Sequence, residues 1–386
     1  MSTKFYKKPL LILTCALIGL AGVGIGLSLN KVVTKQEKNM ISFYGKHQSG
    51  IETPAQNNIY FAVLTLNTSD KEEVKKMFKN WTEYSAKLMK GELVGKERSN
   101  KLVPPTDTGE AIGLNTQNLT ITFGVSPSFL DKLGLENKKM KEFKDLPHFS
   151  KDQLKEEFTG GDICIQVCAD DPQVAFHAVR NLVRKARSTV SLKWAQPGFA
   201  PITGGKTPRN LFGFKDGTEN QRTEEQLNAN VWYDKDDWLK DGSFLIVRKI
   251  QMFLETWDRT NLQEQENTFG RYKESGAPFG KKDEFDEIDM SKQPLESHVK
   301  LAKEANSKIL RRGYSYSNGV HEVTGQFDTG LLFISYQKDP EQFIKIQNSL
   351  GADDKLNEYV THIGSGIFAC FPGVKEGEYI GQKLFE

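Results

Sequence analysis

The sequence predicts an α+β fold made of two strand–helix–strand units, with helices covering one face of mainly antiparallel sheets. Three observations carry this. Two apolar strands, one in each half, run into an Asp-Pro step and then an amphipathic helix: Asp171-Pro172 in the first half and Asp339-Pro340 in the second. Aligned on these steps, Leu182 falls on Leu350 near the ends of the two helices. An opening strand, Phe244 to Phe253, and a closing one, Ile367 to Phe371, complete the second copy. The two copies span roughly residues 55–197 and 240–380.

In the first half, Ile59 to Leu66 reads as a strand. Asp70 to Lys90 has helical spacing, with Val74, Met77, Phe78 and Trp81 on one face and Asp70 as N-cap. Leu119 to Val125 and Asp162 to Cys168 are further strands. The helix to Lys185 starts with an Asp cap and Pro in its first turn, a pairing that suits both positions. Thr189 to Trp194 is the next strand. In the second half, Leu331 to Tyr336 is a strand and the helix after Pro340 reaches Leu350. Two stretches have no clear period: 195–220, rich in Gly, Pro and Thr, and the long charged connection 258–327. Loops of that length in a compact protein are functional or disordered.

The chain has 386 residues, 38% hydrophobic and 26% charged, with a formal net charge of +2. This is an ordinary globular balance, and no basic stripe points to nucleic acid. The N-terminus differs. Lys4, Lys7 and Lys8 precede an uncharged apolar run from Pro9 to Leu29. Such a segment is an export signal or a membrane anchor, and the rest of the chain is expected outside the cytoplasm. Cleavage and retention both remain open: the run is long enough to span, yet its glycines weaken it as a helix and small residues near Ala21 suit cleavage. Cys15 follows Thr14 with few apolar residues before it, which argues against lipidation. Cys164 and Cys168 share one strand face about 13 Å apart by strand rise, too far to bridge. With Cys370 they read as buried small hydrophobes.

Three stretches carry chemistry. Gly213 and Gly217 bracket Asp216 in Gly213-Phe214-Lys215-Asp216-Gly217, which lets the backbone turn tightly and approach a flat ligand. His298 stands in Glu296-Ser297-His298-Val299-Lys300. Arg311 and Arg312 stand in Leu310-Arg311-Arg312-Gly313-Tyr314-Ser315-Tyr316. Alone, these are an Asp-Gly turn, a solvated histidine and a basic strand end. Their order, Asp then His then Arg, changes the reading.

With Phe43-Tyr44-Gly45-Lys46-His47-Gln48, Gly160-Gly161-Asp162-Ile163-Cys164, Asp170-Asp171-Pro172 and Asp328-Thr329-Gly330-Leu331-Leu332-Phe333, these motifs resemble the dye-decolorizing peroxidase family. The match is to its EfeB, or deferrochelatase/peroxidase, subgroup, from about Phe43 to the C-terminus. The resemblance implies a pair of ferredoxin-like units forming a dimeric α+β barrel-type fold, with haem in the C-terminal half. The expected organisation is a signal or anchor (1–30), a linker (31–54), an N-terminal unit carrying the distal loop (55–220) and a C-terminal unit carrying the ligand (221–386).

The resemblance also implies one haem b per chain, with His298 as the proximal iron ligand. Its other ring nitrogen needs an acceptor, for which Asp328 is the candidate. Asp216 matches the distal acid that moves a proton between the peroxide oxygens. Arg311 matches the arginine that stabilises charge on the leaving oxygen, with Arg312 the neighbouring alternative. Gly217, Thr218 and Glu219 are expected at the haem edge. His321 is the rival ligand, and His177 reads as packing inside a helix. Tyr314, Tyr316, Trp194 and Trp257 are core aromatics, with electron relay as the other reading.

The implied reaction reduces hydrogen peroxide and oxidises dyes or other one-electron donors, linked to bacterial iron uptake. An aspartate's reference pKa of about 3.9 favours acid pH for it. The alternatives are release of iron from haem and a non-enzymatic haem carrier. The implied partners are an iron-uptake permease, an iron-binding lipoprotein and a second copy of the chain. Two departures stand out. Lys7-Lys8 occupies the place of the twin arginines common in exported members, and the stretch between His298 and Arg311 is short for the subgroup.

Overall fold

The computed structural model describes residues 40–386 except 96–98, 202, 222 and 352. The expected signal or anchor and residues 31–39 of the expected linker lie outside the described residues. The unit from Ser42 to Glu386 forms one body. No helix among the described residues is long and apolar enough to cross a membrane.

The strands are β1 (Asn58–Leu66), β2 (Thr120–Val125), β3 (Ile163–Ala169), β4 (Val190–Phe199), β5 (Ser243–Met252), β6 (Leu310–Arg311), β7 (Tyr314–Val320), β8 (Phe327–Gln337) and β9 (Val360–Cys370). They pair antiparallel in the order β5-β9-β2-β3-β1-β4-β7-β8, and β8 also pairs with β5. The sheet therefore closes into an eight-stranded barrel, with the short β6 extending β7 along the same edge of β8. Closure removes the free edges that two separate sheets would expose. The halves meet at two seams: β2 against β9 at Gly124↔Cys370, and β4 against β7 at Phe199↔Ser315. The strand–helix–strand units are present, but their sheets are continuous.

Local rules set the helices. Asp70 accepts from the Glu72 and Glu73 amides and starts the helix Lys71–Leu88. Its buried stripe is the expected Val74, Met77, Phe78 and Trp81. Trp81 stacks on Phe123 at 5.3 Å and donates from Nε1 to Leu182 O at 2.9 Å, so its one polar atom is satisfied in the core. Asp171 caps the helix Pro172–Lys185 in the same way. His177 lies in that helix, buried and bonded to Asp107 at 2.7 Å, a packing role. The connection 258–327 is more ordered than its lack of period suggests. It holds the helix Leu262–Phe269, capped by Asn261, and the barrel strands β6 and β7.

Period-2 alternation sorts the side chains of the second half. Leu245, Val247, Leu310, Tyr314, Leu332, Ile334, Tyr336 and Phe368 form the barrel interior together with Cys164, Cys168 and Cys370. All three cysteines are free and buried, as expected of small hydrophobes. Gly124 lies between Cys164 and Cys370 in register, and a Cβ there would stand 3.0 Å from both sulfurs. Outward-facing residues of β5, β8 and β9 form the wall on which the functional site is built. Part of that wall is polar. Arg248 is 1% exposed, pairs with the buried Asp152 and donates to Ser365 Oγ at 2.9 Å. Beside it, burial and then the charges of Arg248 and His298 push His362 down to about 3.

Two predictions follow from this packing. Gly124→Ala overpacks the seam and should lower unfolding free energy by about 1–3 kcal/mol in a urea titration. An unchanged midpoint would mean that the sulfurs move aside. His362 predicts acid sensitivity: from its ordinary value of 6.5 down to about 3, the unfolded chain binds a proton that the folded chain refuses. Stability therefore falls as pH drops through that window. His362→Leu should lose less Tm than wild type between about pH 7 and pH 4; equal losses would exclude His362 as a cause.

Candidate active site

The loop 207–220 follows β4 and crosses to the second half. Its apolar residues anchor it. Phe212 and Phe214 are buried against Trp257 and Phe269, with Phe214 stacked on Phe269 at 4.1 Å. Trp257 Nε1 donates to Phe212 O at 3.1 Å. Polar ties complete the hold: Arg209 donates to the carbonyls of Gly213, Lys273 and Glu274, and the Asp216 amide donates to Pro208 O at 2.8 Å. Gly213 and Gly217 have φ of +83° and +119°, a region that favours glycine, so the turn on each side of Asp216 requires them.

This geometry presents Asp216 to Arg311, and Nη1 of the arginine donates to Oδ1 at 2.8 Å. Arg311 itself is fixed by Asn220, whose side-chain amide accepts from the Arg311 N–H at 2.8 Å and donates to the Arg311 carbonyl at 2.7 Å. Arg312 points the other way. It is buried and donates to Thr53 O and Gln56 Oε1. Arg311 is thus the arginine at the site.

His298 opens the helix His298–Glu304, directly after the N-cap Ser297. Its Nδ1 lies 2.7 Å from Oδ2 of Asp354, a buried residue whose Oδ1 also accepts from the Leu356 amide. Burial opposes charge on the imidazole, but the Asp354 carboxylate outweighs it and raises the pKa above the ordinary 6.5. With a proton on Nδ1 donated to Asp354, Nε2 is left as a lone-pair donor. The expected acceptor, Asp328, is elsewhere: it accepts from Asn318 Nδ2 at 2.9 Å on the β7–β8 hairpin. Asp354 follows the helix Glu341–Leu350 and bears no sequence relation to His298; no local signal marks it. His321 sits in the hairpin turn, where its Nδ1 accepts from the Val323 and Thr324 amides.

Asp216, Arg311 and His298 line one cavity of about 390 Å³. Its remaining wall is largely apolar: Ile250, Met252, Leu331, Phe333, Phe343, Ile346, Leu350 and Val360. Gly217, Thr218 and Glu219 also line it. Glu219 lies between Lys308 (3.4 Å) and Arg271 (3.8 Å), cations that also reach the cavity. His362, Arg248 and Arg271 line it too and were not singled out in the sequence.

Comparison with known proteins shows the family. The family models for the N-terminal and C-terminal parts of Dyp-type peroxidases match residues 48–200 and 207–375. The chain is 38% identical over 378 residues to a deferrochelatase of Escherichia coli O157:H7, covering 91% of this chain and 88% of the relative. It is equally identical to the Escherichia coli K12 protein of that name, over 89% of this chain and 86% of the relative. Among solved structures, the oxyferrous complex of DtpA from Streptomyces lividans superposes with a TM-score of 0.83 at 33% identity, covering 90% of this chain and 98% of the other. A DyP-type peroxidase from Cellulomonas bogoriensis gives 0.82 at 34% identity over the same shares. With both halves matched and relatives this similar along nearly the whole length, the chain belongs to the Dyp-type peroxidase family.

Proposed function

We propose that the protein binds one haem b in this cavity and uses it to reduce hydrogen peroxide while oxidising one-electron donors such as dyes. The observation that carries the reading is that one cavity is faced by two pairs: His298 with Asp354, and Asp216 with Arg311. The residues suit a porphyrin. An imidazole with its Nδ1 already bonded offers Nε2 to iron, apolar side chains suit the macrocycle, and Arg271, Arg311, Lys303 and Lys308 suit its carboxylates. The superposed DtpA is described as an oxyferrous complex, which supports a haem-iron reading for this chain.

Haem, when bound, supplies the electrons that break the peroxide O–O bond. The chain supplies the proton path and the charge. An Asp216 carboxylate oxygen takes the proton from one peroxide oxygen and returns it to the other, the leaving one. Arg311 donates to that carboxylate at 2.8 Å and offsets negative charge on the leaving oxygen. Asp354 fixes the His298 ring and makes Nε2 more basic. Gly217, Thr218 and Glu219 bound the edge of the site.

A second reading, release of iron from haem, is favoured by the name deferrochelatase carried by the Escherichia coli relatives. It uses the same cavity and predicts free protoporphyrin after incubation with haem. A link to iron uptake follows from that reading. Export is proposed from Lys4, Lys7, Lys8 and the apolar run behind them.

His298→Ala should abolish the Soret band of haem-reconstituted protein, whereas Asp354→Asn should keep it and shift the ferric spectrum. An unchanged band in His298→Ala would remove His298 as the ligand. Asp216→Asn should keep the Soret band and reduce peroxide-dependent dye oxidation by about 10²–10⁴-fold; wild-type rates in that variant would defeat the proton-transfer assignment.

A further inference from the structure

The connection between β5 and β6 also folds over the loop that presents Asp216. Glu284 is the centre of that contact. Its side chain is 9% exposed. Oε2 accepts from Lys215 Nζ at 2.5 Å, and Oε1 accepts from Thr218 Oγ1 at 2.9 Å. Lys215 directly precedes Asp216, and Thr218 stands two residues beyond it. One carboxylate therefore grips the turn on both sides of the acid. Its backbone is held in turn, because Arg271 Nη1 donates to Glu284 O at 2.9 Å and to Gly276 O at 2.8 Å. Glu284 is not among the residues that line the cavity.

Two physical needs meet at this carboxylate. Gly217 gives the turn wide conformational freedom, and a carboxylate that must hand a proton between two adjacent oxygens tolerates little wandering. Lys215 is the second need: an ammonium one residue from Asp216, left unpaired, is free to compete with Arg311 for the acid. Burial disfavours charge on Glu284, but hydrogen bonds from Lys215, Thr207 and Thr218 and the Lys215 charge together offset this and hold the carboxyl below its ordinary value. The grip is therefore ionic.

We propose that Glu284 is a positioning residue for the reaction: by binding Lys215 and Thr218 together it keeps the Asp216 carboxylate aligned with Arg311. The inference rests on the proposed role of Asp216 as proton carrier.

The test compares Glu284→Gln, Lys215→Met and Asp216→Asn with wild type. Full-length haem-reconstituted protein is used for peroxide kinetics and the Soret band, and hydrogen–deuterium exchange is followed over residues 207–220. Glu284→Gln preserves volume and can still accept from Thr218, so a folded protein with an intact Soret band is expected. Its kcat with peroxide should fall about tenfold with KM for the dye unchanged, and exchange in 207–220 should quicken. Lys215→Met, which breaks the same ion pair from the other side, should quicken exchange likewise. If Asp216→Asn is impaired while Glu284→Gln turns over within twofold of wild type, the positioning role is overturned, whether or not exchange changes. If Asp216→Asn turns over normally, the proton-carrier assignment has failed and the positioning role falls with it.

Discussion

Everything at the site depends on holding Arg311 and Asp216 in one geometry, although 95 residues separate them. The bond between them is 2.8 Å, but two partly exposed charges do not fix each other's position; such pairs contribute only about 0–1 kcal/mol. The geometry is set by what lies behind each partner. Arg311 sits on β6, whose outer edge is not covered by β4. Asn220 covers it instead, returning both backbone hydrogen bonds of Arg311 as a neighbouring strand would. Four residues earlier in the same loop stands Asp216. The side chain that completes the sheet edge thus also delivers the acid to the arginine, and the barrel's need for paired backbone becomes the ruler for the site.

The closed barrel makes that ruler stiff. Its interior is packed by both halves, so the outward residues of β5, β8 and β9 stand on a wall that cannot slide without breaking pairing in every strand. On this wall rest Ile250, Leu331 and Phe333 of the cavity. The opposite side is built from short helices: His298 at the start of one, and the helix Glu341–Leu350, which ends just before Asp354. The rigid wall and the helical side meet at a cavity lined mostly by apolar groups, where a few charges act in low dielectric.

Much of this was legible in the sequence, for identifiable reasons. Caps at Asp70 and Asp171 and the 3.6-residue stripe through Trp81 are local, and they placed the helices within a residue or two. The strands of the first half were found by the same logic; the barrel was expected through the family resemblance and not from periodicity, because the β2–β9 and β4–β7 seams involve one or two register pairs each and leave no periodic trace. β6 and β7 hid inside a charged connection because Arg311, Arg312 and Ser315 interrupt their apolar pattern. Yet alternation was there to be read: Leu310, Arg312, Tyr314 and Tyr316 share the inward face, which sends Arg312 inside and leaves Arg311 facing the cavity. Asp354, Asn220 and Glu284 were missed for a different reason. Each acts through a long-range side-chain bond, and an isolated Asp, Asn or Glu in a loop carries no signature of its distant partner.

Two arginine–aspartate pairs at the cavity show how burial divides structure from chemistry. Arg248 and Asp152 are 1% and 0% exposed at the side chain, and the guanidinium also donates to Ser365. Charges withdrawn that far from water are costly unless fully paired, so breaking this pair would unsettle the wall itself. Arg311 and Asp216 keep 31% and 29% of their side-chain surface. They lose less hydration, gain less from each other, and remain open to a third group between or beside them. A pair held from behind by Asn220, Pro208 and the loop's own contacts has donors and acceptors left over, and that surplus is what a peroxide molecule would engage.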